Sequence, residues 1–193
     1  MAQFLSEEYW EGRYKDQQTG WDIGEVSRPI KEYIDQLENK ELRILIPGCG
    51  NGYEGEYLFL KDFHNVTLLD FAEPPLKNFK DRNPDFPNDH LILGDFFKHE
   101  GAYDLVLEQT LFCAIDPSKR AEYVKKSSEL LAENGKLAGV LFNTHFDGGP
   151  PFGGSIEEYN GLFREYLREL SIKECYNSIE PRSGKECFLI AKK

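Results

Sequence analysis

The sequence predicts a three-layer α/β domain in which helices cover both faces of a mostly parallel, seven-stranded sheet. Apolar runs of strand length alternate with segments of helical periodicity, a pattern typical of parallel sheets. These runs are nearly continuous rather than alternating, as expected for strands covered on both faces. The last two runs have no helix between them and predict a closing antiparallel hairpin. A chain of 193 residues suits one domain with a sizeable core.

The elements follow in order along this single domain. Residues 1–40 predict an N-terminal helical lid with two helical pieces within 6–38, and residues 41–193 predict the α/β core. The first five strands are expected at 42–47, 65–70, 90–95, 103–108 and 136–142. Helices are expected at 53–63, 73–82, 118–132 and 156–170, the third ending at a C-cap formed by Asn134 and Gly135. The hairpin strands are expected in SIKECYNSI (171–179) and ECFLIAKK (186–193).

Charge and composition exclude several classes of partner. The formal net charge is −11, from 23 basic and 34 acidic side chains, and this disfavours both nucleic acid and an anionic membrane surface. No apolar run approaches the roughly 18 residues of a transmembrane helix, and the acidic start does not resemble a signal peptide. We therefore expect a monomeric, cytoplasmic protein that acts on a small molecule.

The four cysteines stand apart from one another and from the four histidines. Cys49, Cys113, Cys175 and Cys187 form no C-x-x-C pair, which favours free thiols in a reducing compartment. A zinc site needs clustered ligands, and the sequence offers none. We expect no metal site.

The stretch RILIPGCGNGYEGEYL (43–58) predicts a strand, a glycine-rich turn and a helix start in that order. Gly48, Gly50 and Gly52 leave the backbone bare, and the orphan N–H groups of a helix start favour negative charge. This combination favours a nucleotide or nucleoside cofactor. The dinucleotide fingerprint G-x-G-x-x-G needs a glycine where this chain has Tyr53. Asp70, at the end of the second strand, fits the ribose hydroxyls of NAD and of S-adenosylmethionine (SAM) alike.

The third predicted strand ends in Gly94, Asp95 and Phe96. An acid beside an aromatic ring could bind an adenine amino group and cover the ring face. The alternative is that Asp95 caps a helix and Phe96 is ordinary core. The residues alone leave both interpretations open.

Longer motifs resemble a known family. ILIPGCGNG, LLDFAEPPL, FCAIDPSKRAEYV and GGPPFGGS, with YWEGRYKDQQTGWDIG before them, are similar to class I SAM-dependent methyltransferases of the thiopurine methyltransferase-like family, which includes plant halide/thiol methyltransferases. The resemblance implies a seven-stranded Rossmann-like sheet and SAM as the cofactor. It further implies that Trp10, Tyr14 and Trp21 fold over SAM and that Arg120 lines the active site as the candidate catalytic residue. The residues leave open whether Arg120 binds the acceptor anion, the SAM carboxylate or a structural acid such as Glu108 or Asp116.

The same resemblance completes the expected site. Besides the residues above, the cofactor set includes Phe71, Glu108 and Gln109, and the acceptor pocket includes Phe112 and Phe152. Tyr14 stands where the family has tryptophan, and Phe152 follows the thiopurine enzymes rather than the tyrosine of the plant branch.

The expected reaction is methyl transfer to a small, soft nucleophile, with a thiol or hydrosulfide first. Halide, thiocyanate and thiopurine acceptors remain alternatives, as does a non-catalytic SAM-binding module. An NAD-dependent oxidoreductase fits least, because the third fingerprint glycine is missing and the chain closes on a hairpin.

Overall fold

The computed structural model describes residues 5–193 and contains one seven-stranded sheet in that range. Its strands are β1 (Ile44–Pro47), β2 (Val66–Asp70), β3 (Leu91–Leu93), β4 (Tyr103–Gln109), β5 (Leu131–Phe142), β6 (Arg168–Glu174) and β7 (Glu186–Lys192). The strand order is β3-β2-β1-β4-β5-β7-β6. β1 to β5 are parallel, and β7 runs antiparallel to both of its neighbours, β5 and β6. The predicted fold class is confirmed.

Six α-helices and four short 3-10 helices complete the described part of the chain. The α-helices are α1 (Glu7–Lys15), α2 (Arg28–Asp35), α3 (Tyr53–Leu60), α4 (Glu73–Arg82), α5 (Arg120–Leu130) and α6 (Ile156–Arg164). The 3-10 helices are Asn88–His90, Phe96–Lys98, Pro117–Lys119 and Glu180–Arg182. Between residues 5 and 193, no helix combines the length and apolar character needed to cross a bilayer.

Helices α2 to α6 form two layers because each turns buried apolar residues to the sheet, whereas α1 has no buried residue. Ile34 of α2, Leu58 of α3 and Phe79 of α4 pack in one hydrophobic cluster with one face of the sheet. Tyr123 of α5 and Phe163 of α6 pack in a second cluster on the other face. The central strand β1 is buried along its whole length, as the continuous apolar run predicts.

The boundaries differ from the sequence prediction at the ends of α3, α5 and α6 and in the strands β3, β5 and β6. α5 ends at Leu130 rather than 132, since Leu131 already pairs with Tyr103, and Asn134 and Gly135 lie in an irregular part of β5 instead of a C-cap. α6 ends at Arg164, and β6 begins at residue 168, although the sequence predicts a helix over 156–170. β3 has only three residues and is half-exposed, because it lies at the sheet edge and not in its centre.

Candidate functional site

The glycine turn after β1 faces the N-terminal segment. Gly48, Gly50 and Gly52 have positive φ angles of 58°, 53° and 71°, a conformation that residues with a Cβ rarely adopt. A Cβ on Gly50 would lie 2.8 Å from the hydroxyl oxygen of Tyr14, and one on Gly52 would meet the ring of Phe79 at 2.5 Å. Gly50 thus keeps the backbone bare beneath the N-terminal segment, and Gly52 lets α3 approach α4 closely.

Asp70 joins the end of β2 to this turn. Its carboxylate is buried and accepts hydrogen bonds from the backbone N–H groups of Gly50 and Ala72, each at 2.9 Å. Burial raises the pKa of Asp70, and the N–H donors oppose that shift. The Asp70 side chain therefore links the end of β2 to the turn after β1. Both lie at the C-terminal edge of the parallel strands, where α/β proteins bind ligands.

Residues 7–26, which we call the lid, cover the turn with aromatic rings. The Trp21 ring contacts the rings of Trp10 and Tyr14 edge-on, with centroid separations of 5.3 Å and 5.7 Å. Ser6 caps α1 by accepting a hydrogen bond from the Tyr9 N–H at 3.3 Å. Burial, reinforced by the nearby carboxylate of Asp70, raises the pKa of Tyr14, so its hydroxyl stays protonated.

Two polar contacts hold the lid from opposite sides. The carboxylate of Asp22 accepts a hydrogen bond from the side-chain amide of Asn51, in the glycine turn. Arg182, in the loop before β7, donates from Nη2 to the backbone carbonyl of Trp21 at 2.7 Å. The lid is therefore fixed both to the first turn and to the C-terminal hairpin.

The lid, the glycine turn, the end of β4 and the hairpin loop line a cleft that is open to solvent on one side. It is lined by Tyr14, Trp21, Asp22, Ile23 and Glu25 of the lid, Gly48, Cys49, Gly50, Asn51, Tyr53 and Glu54 of the turn and α3, Gln109, Thr110 and Arg182. Of the sequence-predicted cofactor residues, the lining includes Tyr14, Trp21, Gly48, Gly50 and Gln109. Trp10 supports the cleft through Trp21, and Asp70 supports it through Gly50.

The lining is predominantly acidic. Asp22, Glu25 and Glu54 face Arg182, which is the one cation among the lining residues in the described range 5–193. Glu54 is buried, and burial raises its pKa. The cleft consequently suits a ligand that carries cationic groups together with a nucleoside.

Glu108 lies outside the cleft although Gln109 lines it. Consecutive residues of a strand point to opposite faces, so only one of the two could face the cleft. The Glu108 carboxylate is buried in the core, where it accepts hydrogen bonds from the N–H of Phe112, at 2.8 Å, and from the hydroxyl of Tyr123. Burial raises the pKa of Glu108 to about 7. The cofactor role of Glu108 stays a prediction, and the contacts seen here are to Phe112 and Tyr123.

Asp95 and Phe96 follow the alternative interpretation in the structure. The Asp95 carboxylate caps a 3-10 helix by accepting from the N–H of Phe97 at 2.9 Å, and it lies 3.2 Å from the ammonium of Lys98. Phe96 is buried against Tyr123, with ring centroids 5.1 Å apart. Phe71 is half-buried directly after β2. None of these three lines the cleft.

Arg120 binds protein groups on the far side of the β4–α5 loop. Its buried guanidinium lies 2.7 Å from the Glu158 carboxylate and donates to the backbone carbonyls of Phe152, at 3.2 Å, and Gly153, at 2.9 Å. Its Cζ lies 4.9 Å from the ring centroid of Phe112, which is fully buried. Arg120 and both predicted acceptor-pocket phenylalanines therefore belong to one cluster beside the cleft and not to its lining.

Sequence reasoning missed Asp22, Glu54, Thr110 and Arg182. Arg182 could have been found, because β7 is antiparallel to β5 and the loop before it must return to the carboxyl edge of the parallel strands. Its position in the turn-like EPRSGKE between the two hairpin strands was the available signal.

Solved structures share this fold across nearly the whole chain. One is 1,6-didemethyltoxoflavin-N1-methyltransferase of Burkholderia thailandensis with bound S-adenosylhomocysteine (SAH), with a TM-score of 0.75 and 18% identity over 98% of this chain and 87% of that one. Another is a TehB-like SAM-dependent methyltransferase of Corynebacterium glutamicum, with a TM-score of 0.67 and 18% identity over 97% and 98%. The fold is that of the class I SAM-dependent methyltransferases.

The sequence narrows this class to a family. The sequence model of the thiopurine S-methyltransferase family matches residues 5–188, and the chain belongs to that family. Its relatives include probable thiol methyltransferase 2 of Arabidopsis thaliana and thiocyanate methyltransferase 1 of Brassica oleracea. The Arabidopsis protein is 29% identical over 92% of this chain and 81% of its own length. The Brassica protein is 29% identical over 96% of this chain and 87% of its own length. Thiopurine S-methyltransferase of Vibrio parahaemolyticus is 26% identical over 83% and 82%. The protein is a SAM-dependent methyltransferase.

The residues of the cleft fit SAM. Gly50 leaves room that a Cβ would fill, and Asp70 stands at the strand end where ribose hydroxyls need an acceptor. SAM carries a sulfonium, an ammonium and a carboxylate, so its net charge is positive and matches the acidic lining. The charge of the cleft lining thereby agrees with the predicted cofactor.

Proposed function

We propose that the protein transfers the methyl group of SAM to a small, soft sulfur nucleophile, a thiol or hydrosulfide. Two relatives are named for thiol and thiocyanate methylation, and a third for thiopurine methylation. Halide, thiocyanate and thiopurine remain the alternative acceptors. The observation that carries the proposal is the guanidinium of Arg182 at the cleft, beside the end of β4, because it would attract a thiolate.

The chain's contribution is positioning and exclusion of water. SAM supplies, when bound, an electrophilic methyl group on a sulfonium sulfur. The lid aromatics would exclude water once the cofactor completes their packing, and charge neutralisation between donor and thiolate is favoured where the dielectric is low. Thiols have pKa values near 8.5, so a thiolate fraction exists at neutral pH without a general base.

The protein's own cysteines support an external acceptor. Burial raises the pKa of Cys113 to about 12 and raises that of Cys49 as well, so both are poor nucleophiles. The cysteines of the described range are all free, which suits a reducing, cytoplasmic location. We also propose that the protein acts as a monomer without nucleic acid.

Arg120 and Arg182 are the two candidates for orienting the acceptor anion. The sequence resemblance assigns this role to Arg120, whose guanidinium already contacts Glu158 and two carbonyls. Arg182 contacts the Trp21 carbonyl and lies 3.5 Å from the Glu186 carboxylate. Arg120→Met and Arg182→Met remove charge and keep bulk. The variant that loses kcat/KM for thiols while it retains SAM affinity identifies the acceptor cation.

An SAH-release assay across thiols, sulfide, halides, thiocyanate, thiopurines and selenium or tellurium oxyanions tests the function. We expect the highest kcat/KM for a thiol or for sulfide. SAM binding without SAH release from any acceptor would indicate a non-catalytic SAM-binding module. Activity on an oxygen or nitrogen nucleophile alone would contradict the substrate class.

A further inference from the structure

Glu54 is a buried acid in the cofactor cleft with few partners. It is the second residue of α3 and is 6% exposed, whereas Asp22 and Glu25 of the same lining are more accessible. The Ser27 N–H donates to its Oε1 at 3.3 Å, and among residues 5–193 no cation lies within ion-pair distance of its carboxylate. A buried carboxylate with so little compensation is costly to the fold.

Glu54 and Asp70 lie on opposite sides of the glycine turn. In the strand order, β2 flanks β1 on one side and β4 flanks it on the other. Asp70 ends β2, and Gln109 ends β4. The Ser27 hydroxyl, whose backbone N–H binds Glu54, donates to the Gln109 side chain at 3.0 Å. Glu54 therefore lies toward the β4 side of the glycine turn.

A SAM molecule with its ribose at Asp70 would have to cross the glycine turn to place its amino acid on that side. The group at its other end is an amino acid, which carries an ammonium and a carboxylate. An ammonium has three donors and no acceptor, and Glu54 offers free acceptor capacity with negative charge. We propose that Glu54 binds the α-ammonium group of the methionyl part of SAM and of SAH.

This assignment concerns the cofactor and is independent of the acceptor. SAH carries the ammonium but lacks the sulfonium of SAM. Its binding therefore tests the contact between Glu54 and the ammonium, apart from any general attraction of the acidic cleft for the sulfonium. The charge-assisted contact exists only for ligands that carry the amino acid.

Calorimetric binding of SAH and of 5′-deoxy-5′-methylthioadenosine, which lacks the amino acid, tests the assignment. Glu54→Gln keeps the shape and can still accept the Ser27 N–H. We expect it to weaken SAH by roughly tenfold to a hundredfold, the usual worth of a hydrogen bond between charged groups, and to leave methylthioadenosine within about twofold. Glu38→Gln, an exposed change of equal charge, should leave both affinities unchanged.

Three results would overturn the proposal: unchanged SAH affinity in Glu54→Gln, equal losses for both ligands, or a wild-type protein that binds SAH no more tightly than methylthioadenosine. Thermal unfolding reports whether the amide variant is folded. If the amide variant does not fold, Glu54→Asp can be used instead. It keeps the negative charge but shortens the side chain by one methylene, and it should lose affinity for SAH alone. Equal loss for both ligands in that variant would again contradict the ammonium contact.

Discussion

The carboxylate of Asp70 accepts the backbone N–H of Gly50 at 2.9 Å, and this one contact joins the end of β2 to the turn after β1. Asp70 therefore shapes the glycine turn, and we propose that it has a second task as the acceptor for the ribose hydroxyls of SAM. Neither task is replaceable by a neighbouring side chain, because Phe71 and Ala72 follow it directly in the sequence.

Replacement of Asp70 by alanine should weaken SAM binding by about 1.5–3 kcal/mol, the cost of losing hydrogen bonds to a charged group. Isothermal titration with SAM and SAH measures the effect. Asp70→Asn is the matched control, since it retains one acceptor oxygen and should lose less affinity. Unchanged affinity in a folded Asp70→Ala protein would remove Asp70 from the cofactor site.

Gly50→Ala should weaken cofactor binding more than it weakens the fold. The new Cβ would lie 2.8 Å from the Tyr14 hydroxyl, and the positive φ adds strain of about 1–2 kcal/mol. Gly148→Ala controls for backbone strain, because Gly148 also has positive φ, lies outside the cleft lining, and a Cβ added there would meet no atom within 4 Å. We expect similar losses of thermal stability and a loss of SAH affinity in Gly50→Ala alone. Equal SAH affinities in the two variants would contradict close approach of the ligand to Gly50.

The lid should become better protected when the cofactor binds. Its rings bury more apolar surface once a ligand completes their packing, so amide exchange in residues 8–26 should slow on addition of SAM or SAH. Arg182→Met removes the contact to the Trp21 carbonyl and should raise exchange around residues 21–24 in the free protein. Mass spectrometry of exchanged peptides measures both, with α6 as an internal reference. Equal protection with and without ligand would make the lid a fixed layer.

Glu108 should make stability depend on pH. Burial raises its pKa in the folded protein from about 4.5 to about 7, so the folded state holds the proton more tightly than the unfolded state. Protonated Glu108 therefore adds about 3 kcal/mol to the free energy of unfolding below about pH 4.5, and this stabilisation is lost as the pH rises through about 7. Glu108→Gln cannot titrate, so the difference in unfolding free energy between wild type and variant should change across that window. Parallel pH profiles in urea unfolding would show that the carboxylate is not desolvated.

The fold was predictable because the buried strands are marked by continuous apolar runs in the sequence. β1, β2 and β4 are central and buried, and their apolar runs need no knowledge of the neighbours. The edge strand β3 and the start of β6 have weaker patterns, and their bounds were accordingly less accurate. Asn134 and Gly135 resemble a helix C-cap in sequence, but pairing of Leu131 with Tyr103 ends α5 earlier.

The site was predictable only where it depends on strand ends. Gly50 and Asp70 lie at such ends, and the topology of a parallel sheet brings them together. Glu54 and Arg182 reach the cleft through tertiary packing of a helix start and of a hairpin loop, which no local pattern specifies. Two neighbours at the end of β4 were both predicted to bind the cofactor, but consecutive strand residues point to opposite faces, and only Gln109 lines the cleft.

The contact between Arg182 and Trp21 spans 161 positions of the chain, and this has a consequence for protein synthesis. A chain still emerging from the ribosome can form β1, β2 and β4 with their helices well before the hairpin is available. Its glycine turn would then form before Arg182 is available to line the cleft. The cleft can therefore acquire the side formed by Arg182 only after residues 180–192 have been synthesised, so its assembly follows that of the parallel strands.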